Sequence, residues 1–305
     1  MPQGPTPDDI ALQGARYARA RLGDWLAEVG RTAGLMWETA QVSARRAPAA
    51  RLVVQQMGTI GVGSLWLVIV VSLFTGAVAA VQAAYQFTSV VPLKYLSGVI
   101  LRSVMIELGP VLTALVIGGR VGAAIAAELG TMKVTEQIDA LRAMGISPAR
   151  YLVAPRVLAA VVMLPVLTVY SDAIAIFGGY VVAVATLDVS SPVFLQGLQD
   201  FFRLKDLLSG LLKAVFFGGI IGMMGCYHGF QTEGGAEGVG RATTRAVVSS
   251  CVMILVLDYV IATVLFSLTV ISMPLLLDHD IDFVTAMLTS IRTVVENPVP
   301  MLTFG

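Results

Sequence analysis

Glu107 lies in the run IELGPVLTALVIGG, where no other charge occurs before Arg120. An ionised Asp, Lys or Arg at the centre of a bilayer costs about 2.5–3.5 kcal/mol on insertion scales, so a charge kept there is paired or lines a polar cavity. The cations on the same stretch are Arg102 and Arg120, and a structural ion pair with either is one reading of Glu107. A place beside a polar cavity is the other. Pro110 removes a backbone donor three residues further on and bends or loosens a helix there. Gln82, near the end of the preceding apolar run, offers a hydrogen-bonding amide either to Glu107 or to another helix. Asp172 in VYSDAIA lines a polar interior or sits satisfied beside Thr168 and Ser171. Asp258 in LDYVIATVLF reads as structural, paired with Arg241 or Arg245 of a helix end.

Bond-making chemistry has no evident home. The sequence has no GxxxxGK[ST] phosphate loop, and His228 and His279 stand apart from any nucleophile. Cys226 and Cys251 fall in apolar runs without metal-ligand spacing and read as small core hydrophobes. The chain is therefore expected to carry no catalytic residue, no metal and no cofactor of its own.

The elements that hold these polar groups are membrane helices. Of 305 residues, 56% are hydrophobic and 13% charged, and mean hydropathy is +0.82. That is the composition of a multi-span membrane protein. The formal charge is zero, which gives no bulk field for nucleic acid. Five stretches reach the roughly 20 apolar residues a span needs: about Gly58 to Tyr85, Tyr95 to Ala127, Val153 to Thr186, Leu207 to Tyr227 and Val247 to Ile271. Arginines from Arg16 to Arg51 precede the first, Lys133, Arg142 and Arg150 separate the second from the third, and Arg241 and Arg245 precede the fifth. The positive-inside rule puts those segments in the cytoplasm and the C-terminal end, with Asp278, Asp280 and Asp282, outside. The polar start MPQGPTPDDI lacks the basic and apolar regions of a cleavable signal peptide. Leu22, Trp25, Leu26 and Val29, at helical spacing among arginines, predict an amphipathic helix in the membrane interface or packed on the rest of the protein. Gly118 with Gly122 and Gly218 with Gly222 have the small-xxx-small spacing of closely approaching helices.

Between the second and third spans lies MKVTEQIDALRAMGISP. Val134, Ile138, Leu141 and Met144 make one helical stripe, and Gly145 and Pro148 supply a stop. This predicts a cytoplasmic amphipathic helix of about three turns over residues 132–146. It is either a connector resting on the membrane or a docking helix for a soluble partner. At the start of the fifth span, Arg241 and Arg245 read as cytoplasmic anchors with a possible partner or headgroup contact, and Thr243 and Thr244 as caps.

The run ELGPVLTALVIGGRVGAAIAAELGTMKVTEQIDALRAMGISPARYLVAPRVLA at 107–159, GVGRATTRAVV at 238–248 and LDYVIATVLF at 257–266 together resemble the MlaE/YrbE-type permeases. These are membrane subunits of ABC transporters that work with MCE proteins. The resemblance covers about Gly58 to Phe266. It implies an all-α membrane protein with an N-terminal interfacial helix, five transmembrane helices and a cytoplasmic coupling helix, assembled as a homodimer. It further implies a cytoplasmic ATPase dimer holding the ATP and Mg, a STAS-domain subunit, a periplasmic ring of MCE domains, and a phospholipid or related lipid as substrate. By the same resemblance Val134, Glu136, Gln137, Ile138, Leu141, Arg142 and Met144 belong to the coupling helix. Glu107, with Gln82, Arg102 and Pro110, belongs to the lipid cavity. Ile106 stands where several relatives carry Arg, a departure that leaves Arg102 as the basic group within reach.

The expected layout is residues 1–57 as an N-terminal helical segment, 58–273 as the permease domain, and 274–305 as a periplasmic extension. In that extension Phe283, Met287, Leu288, Ile291 and Val295 make another stripe. The expected location is a bacterial inner membrane. A gradient-driven carrier without an ATPase, and a non-transporting scaffold for an MCE protein, are the alternatives.

Overall fold

A computed structural model describes residues 30–32, 34–39, 41, 48–86, 94–269 and 289. The Leu22–Val29 stripe and the stripe from Phe283 lie outside them. The chain divides into two compact units, Met1–Cys251 and Val252–Gly305. All regular structure among the described residues is helical.

Five helical segments have the length and composition of membrane spans: Ala50–Gln86, Tyr95–Val134, Ala149–Thr186, Leu204–Phe230 and Gly235–Leu265. Each expected span is found. The first begins eight residues early and the fifth twelve, because polar helical turns extend past the apolar core. The first span comprises α1 (Ala50–Ile60), a tight turn at Val62–Ser64 and α2 (Leu65–Gln86). The second comprises α3 (Lys94–Ser103), α4 (Gly109–Ile117) and α5 (Ala123–Val134), joined by widened π turns at Val104–Leu108 and Gly118–Gly122. After the short α6 (Gln137–Ala143) come α7 (Ala154–Thr186), α8 (Ser191–Phe201), α9 (Leu204–Phe230) and α10 (Gly235–Thr269).

The third span, α7, is the spine: it packs on the first span along one side and on α9 along the other. Lipid tails are as apolar as leucine, so close backbone approach rather than burial from water holds such helices together. Small residues make that approach possible. A Cβ on Gly76 would collide with the carbonyl of Ala175, and one on Gly218 would stand 2.5 Å from the carbonyl oxygen of Ala160. The expected tight fourth helix is therefore real.

The segment 187–206, between the third and fourth expected spans, contains α8. Pro192 in its first turn and the spacing of Phe194, Leu198 and Phe201 are the signals that identify it. Phe194 is fully buried in a cluster with Leu96, Ile100 and Ala183, edge-on to Tyr180 at 5.5 Å.

At the opposite end, Arg156 is 4% exposed. Its Nη2 meets Glu128 at 2.7 Å and its Nη1 donates to the Leu152 carbonyl, tying the third span to the second beside α6. From the N-terminal segment, Arg31 donates to the Tyr227 hydroxyl at 3.2 Å. In the second unit α10 continues from Val252 with Leu255, Val256, Tyr259 and Val260 exposed.

Candidate functional site

The π turn at Val104–Leu108 carries Glu107, and Pro110 opens the helix that follows. Proline supplies no N–H and cannot continue a regular ladder, while the Gly109 N–H reaches five residues back to Val104. The predicted disturbance at Pro110 thus takes the form of a widened turn just ahead of it. Its consequence is the direction of Glu107.

Neither expected cation meets that carboxylate. Lys213, from the fourth span, donates to Glu107 Oε1 at 2.5 Å. Arg102 instead faces Asp206 at 3.2 Å, a charge contact without an aligned hydrogen bond. Arg120 is drawn off by Ser64. Lys213 lies inside the fourth apolar stretch, whose length and hydropathy outweigh its single interior charge. Both ion pairs join the second span to the fourth, one above the other, with the order of charge reversed. The Lys213 side chain is 1% exposed and that of Glu107 45% exposed, so the carboxylate is the accessible half of the pair.

Leu108, next to Glu107, lines an open groove of about 490 Å³ between the first and second spans. Val71, Phe74, Val78 and Leu112 make it apolar, and Gln82 adds one amide. Among the described residues Gln82 makes no hydrogen bond to Glu107. The amide belongs to the groove wall instead.

Beneath the groove a small cavity is lined by Ser72, Thr75, Thr113 and Ser171 among apolar residues. Ser72 and Ser171 share a hydrogen bond at 2.7 Å, and Thr168 donates to the Leu164 carbonyl. Asp172 is 4% exposed, lies against Gly109, and has no hydrogen-bond partner for either oxygen. Of its two readings, satisfaction by Thr168 and Ser171 fails, since neither hydroxyl bonds the carboxyl.

The segment 132–146 is not one three-turn helix. The second span runs on to Val134, the chain turns at Glu136 with φ 60°, and α6 is only two turns long. Val134 therefore belongs to the span and Met144 to the cap, which splits the expected stripe. Only Ile138 is fully buried. Gly145, at φ 73°, gives the expected stop: Ile146 N–H bonds Leu141 and Gly145 N–H bonds Arg142. Asp139 accepts from Lys133 at 2.9 Å and faces Arg142 at 3.3 Å. The Lys133 hydrogen bond is the main cause that holds its carboxyl below the usual carboxylate range. Gln137 is exposed and donates to Thr135. Val134, Met144 and Ile146 are exposed around the buried Ile138, leaving an apolar surface at the tip of the spans.

At the start of α10, Arg241 pairs with Glu237 one turn back, and Arg245 is exposed. Thr243 and Thr244 bond back to the Gly240 carbonyl inside the helix, so they are not caps. His228 bonds Ser249 at 2.8 Å between the fourth span and α10, and Cys226 is fully buried, as a core residue should be. Among the described residues no group of His, Cys, Asp and Glu is arranged to hold a metal.

The family model for the permease MlaE matches residues 53–264. A probable ABC transporter permease protein of Rickettsia typhi is 44% identical over 215 residues, 70% of this chain and 83% of the relative. The intermembrane phospholipid transport system permease protein MlaE of Haemophilus influenzae is 37% identical over 70% of this chain and 83% of its own. The chloroplastic protein TRIGALACTOSYLDIACYLGLYCEROL 1 of Arabidopsis thaliana is 37% identical, over 71% of this chain and 62% of its own. The matched region holds the Glu107–Lys213 pair, the groove and α6 together, and the chain belongs to the MlaE permease family.

Proposed function

We propose that the chain is the lipid-conducting membrane subunit of an ATP-driven transporter that moves phospholipid between membranes, without bond chemistry of its own. The observation that carries this reading is a half-exposed carboxylate, Glu107, held by a buried lysine and followed directly by Leu108 of an apolar groove. A groove with charge at one edge fits an amphiphile: acyl chains lie along Val71, Phe74, Val78 and Leu112, and a charged headgroup exchanges with the ion pairs. Glu107, the exposed half of its pair, meets an ammonium, and Arg102, the exposed half of the other, meets a phosphate. The name of the Haemophilus influenzae relative supports phospholipid as the cargo class.

In this reading α6 faces the cytoplasm and α8 the periplasm of a bacterial inner membrane, as charge placement favours. Two copies of the chain form the conduit, and a cytoplasmic ATPase dimer, which binds the ATP and Mg, docks on the α6 tip. A STAS-domain subunit attends the ATPase, and a ring of MCE domains meets the α8 face. The exposed Met144 and Ile146 beside Ile138 support docking, since exposed apolar groups outside the spans mark a contact surface. Leu141→Arg should release the ATPase from the purified complex while the permease still folds. An ATPase that stays bound and stimulated in both Leu141→Arg and Glu136→Arg would refute the docking assignment.

A further inference from the structure

Arg120 is an exposed cation inside an apolar span, placed there by the π turn at Gly118–Gly122. Its Nη1 donates to Ser64 Oγ at 2.7 Å, and Ser64 in turn donates to the Ile60 carbonyl at 2.6 Å, which fixes the hydroxyl as an acceptor. The guanidinium lies against the exposed backbone of Gly63, where a Cβ would stand 2.7 Å from Nη2. A guanidinium has five N–H donors. Among the described residues only the one to Ser64 is used, and a Cβ on Gly119 would have nothing within 4 Å. The cation is thus held at one corner and open on the rest of its edge.

Its position relative to the groove is regular. On the first span Ser64, Val68, Val71, Thr75, Val78 and Gln82 follow one another at alternating steps of four and three, a single helical stripe. On the second, Leu108, Leu112, Val116 and Arg120 repeat every four. From Val68 to Gln82 and from Leu108 to Val116 these stripes line the groove and the small cavity beneath it, and Ser64 and Arg120 continue them one step beyond. At 1.5 Å per residue, Ser64 lies about 11 Å along the helix from Val71. The stripes therefore reach Arg120 at the α6 end, away from Glu107. Trp66, 75% exposed two residues beyond Ser64, is of the residue type enriched at the headgroup level.

We propose that Arg120, seated on Ser64 and Gly63, is a binding site for the phosphate of a membrane phospholipid whose acyl chain enters the groove from the α6 end. Planar guanidinium groups match phosphate oxygens with paired donors, which is the chemistry left free here. The site is a second headgroup station of the conduit proposed above, and it rests on the groove being the lipid path. Glu107 and Lys213 hold the other station.

The test uses the delipidated full-length protein in detergent, supplied with phosphatidylglycerol or with a phosphate-free glycosyl diacylglycerol of the same chains, and read by native mass spectrometry. One phosphatidylglycerol per chain should remain bound in Glu107→Gln. In that background its affinity should fall about tenfold on adding Arg120→Gln. Gly63→Val, which keeps the arginine but displaces its flexible end, should fall alike, and Arg120→Lys should retain part. The glycolipid should not occupy the site, and inorganic phosphate should not displace the lipid. Equal phosphatidylglycerol binding in Arg120→Gln and Gly63→Val, equal binding of the glycolipid, or displacement by free phosphate would each overturn the proposal. Loss of all bound lipid in Glu107→Gln alone would overturn it too, by assigning the lipid to the other station.

Discussion

Lys213 is 1% exposed and its partner Glu107 45% exposed, so the two ends of the pair respond differently to substitution. Glu107→Ala leaves a buried ammonium short of its counter-ion and should cost about 3–5 kcal/mol. Lys213→Met removes the buried charge and leaves a half-exposed carboxylate, and should cost less. Thermal unfolding of the two variants in one detergent checks the order, and a larger loss for Lys213→Met would contradict it. Glu107 was legible because a lone carboxylate interrupts an apolar run. Lys213 interrupts one equally, but its pairing depends on the meeting of spans 106 residues apart, which no local pattern contains. Glu136 is a different case. It holds φ 60° without being glycine, a conformation that costs about 1–2 kcal/mol for an L-residue. Glu136→Gly should therefore raise the melting temperature, and an unchanged or lower value would show that its side chain offsets the strain.

At the scale of elements, α6 was predicted from a stripe that proved to belong to two helices. Apolar spacing finds a face but not a break, and the break at Glu136 depends on backbone geometry that no glycine or proline announces. Gly145 did announce the far end. The anchoring of α6 by Ile138 predicts that Ile138→Asp disrupts the segment, whereas Asp139 contributes only through Lys133 and Arg142 at the surface. The folded pKa of Asp139 lies below its ordinary value of 3.8, so its link is present above 3.8 and is lost as pH falls through the folded value. Hydrogen-exchange protection of the α6 amides, corrected for intrinsic rates, should hold from neutral pH down to that range and drop below it. Asp139→Asn should abolish the step. The helix α8 is too short for a span signal, and Pro192 with the Phe194 spacing is its local mark in the sequence.

For the whole molecule, five spans were legible because length and hydropathy alone decide what can cross a bilayer. Their arrangement was not, since glycines recur throughout membrane helices and only contacts separate the packed from the free. Gly218 meets the Ala160 backbone, and Gly119 meets nothing within 4 Å. Gly218→Val should thus abolish recovery of folded protein, while Gly119→Val should be tolerated, as size-exclusion profiles and melts will report. The central claim is that this arrangement carries lipid past Glu107. It is tested most directly by mass spectrometry of the lipids retained by the purified complex, wild type against Glu107→Lys. The account predicts phospholipid at both stations in the first and loss of the Glu107-held share in the second, with only the lipid at Arg120 retained and assembly intact. Unchanged lipid occupancy in a fully assembled Glu107→Lys complex would contradict it.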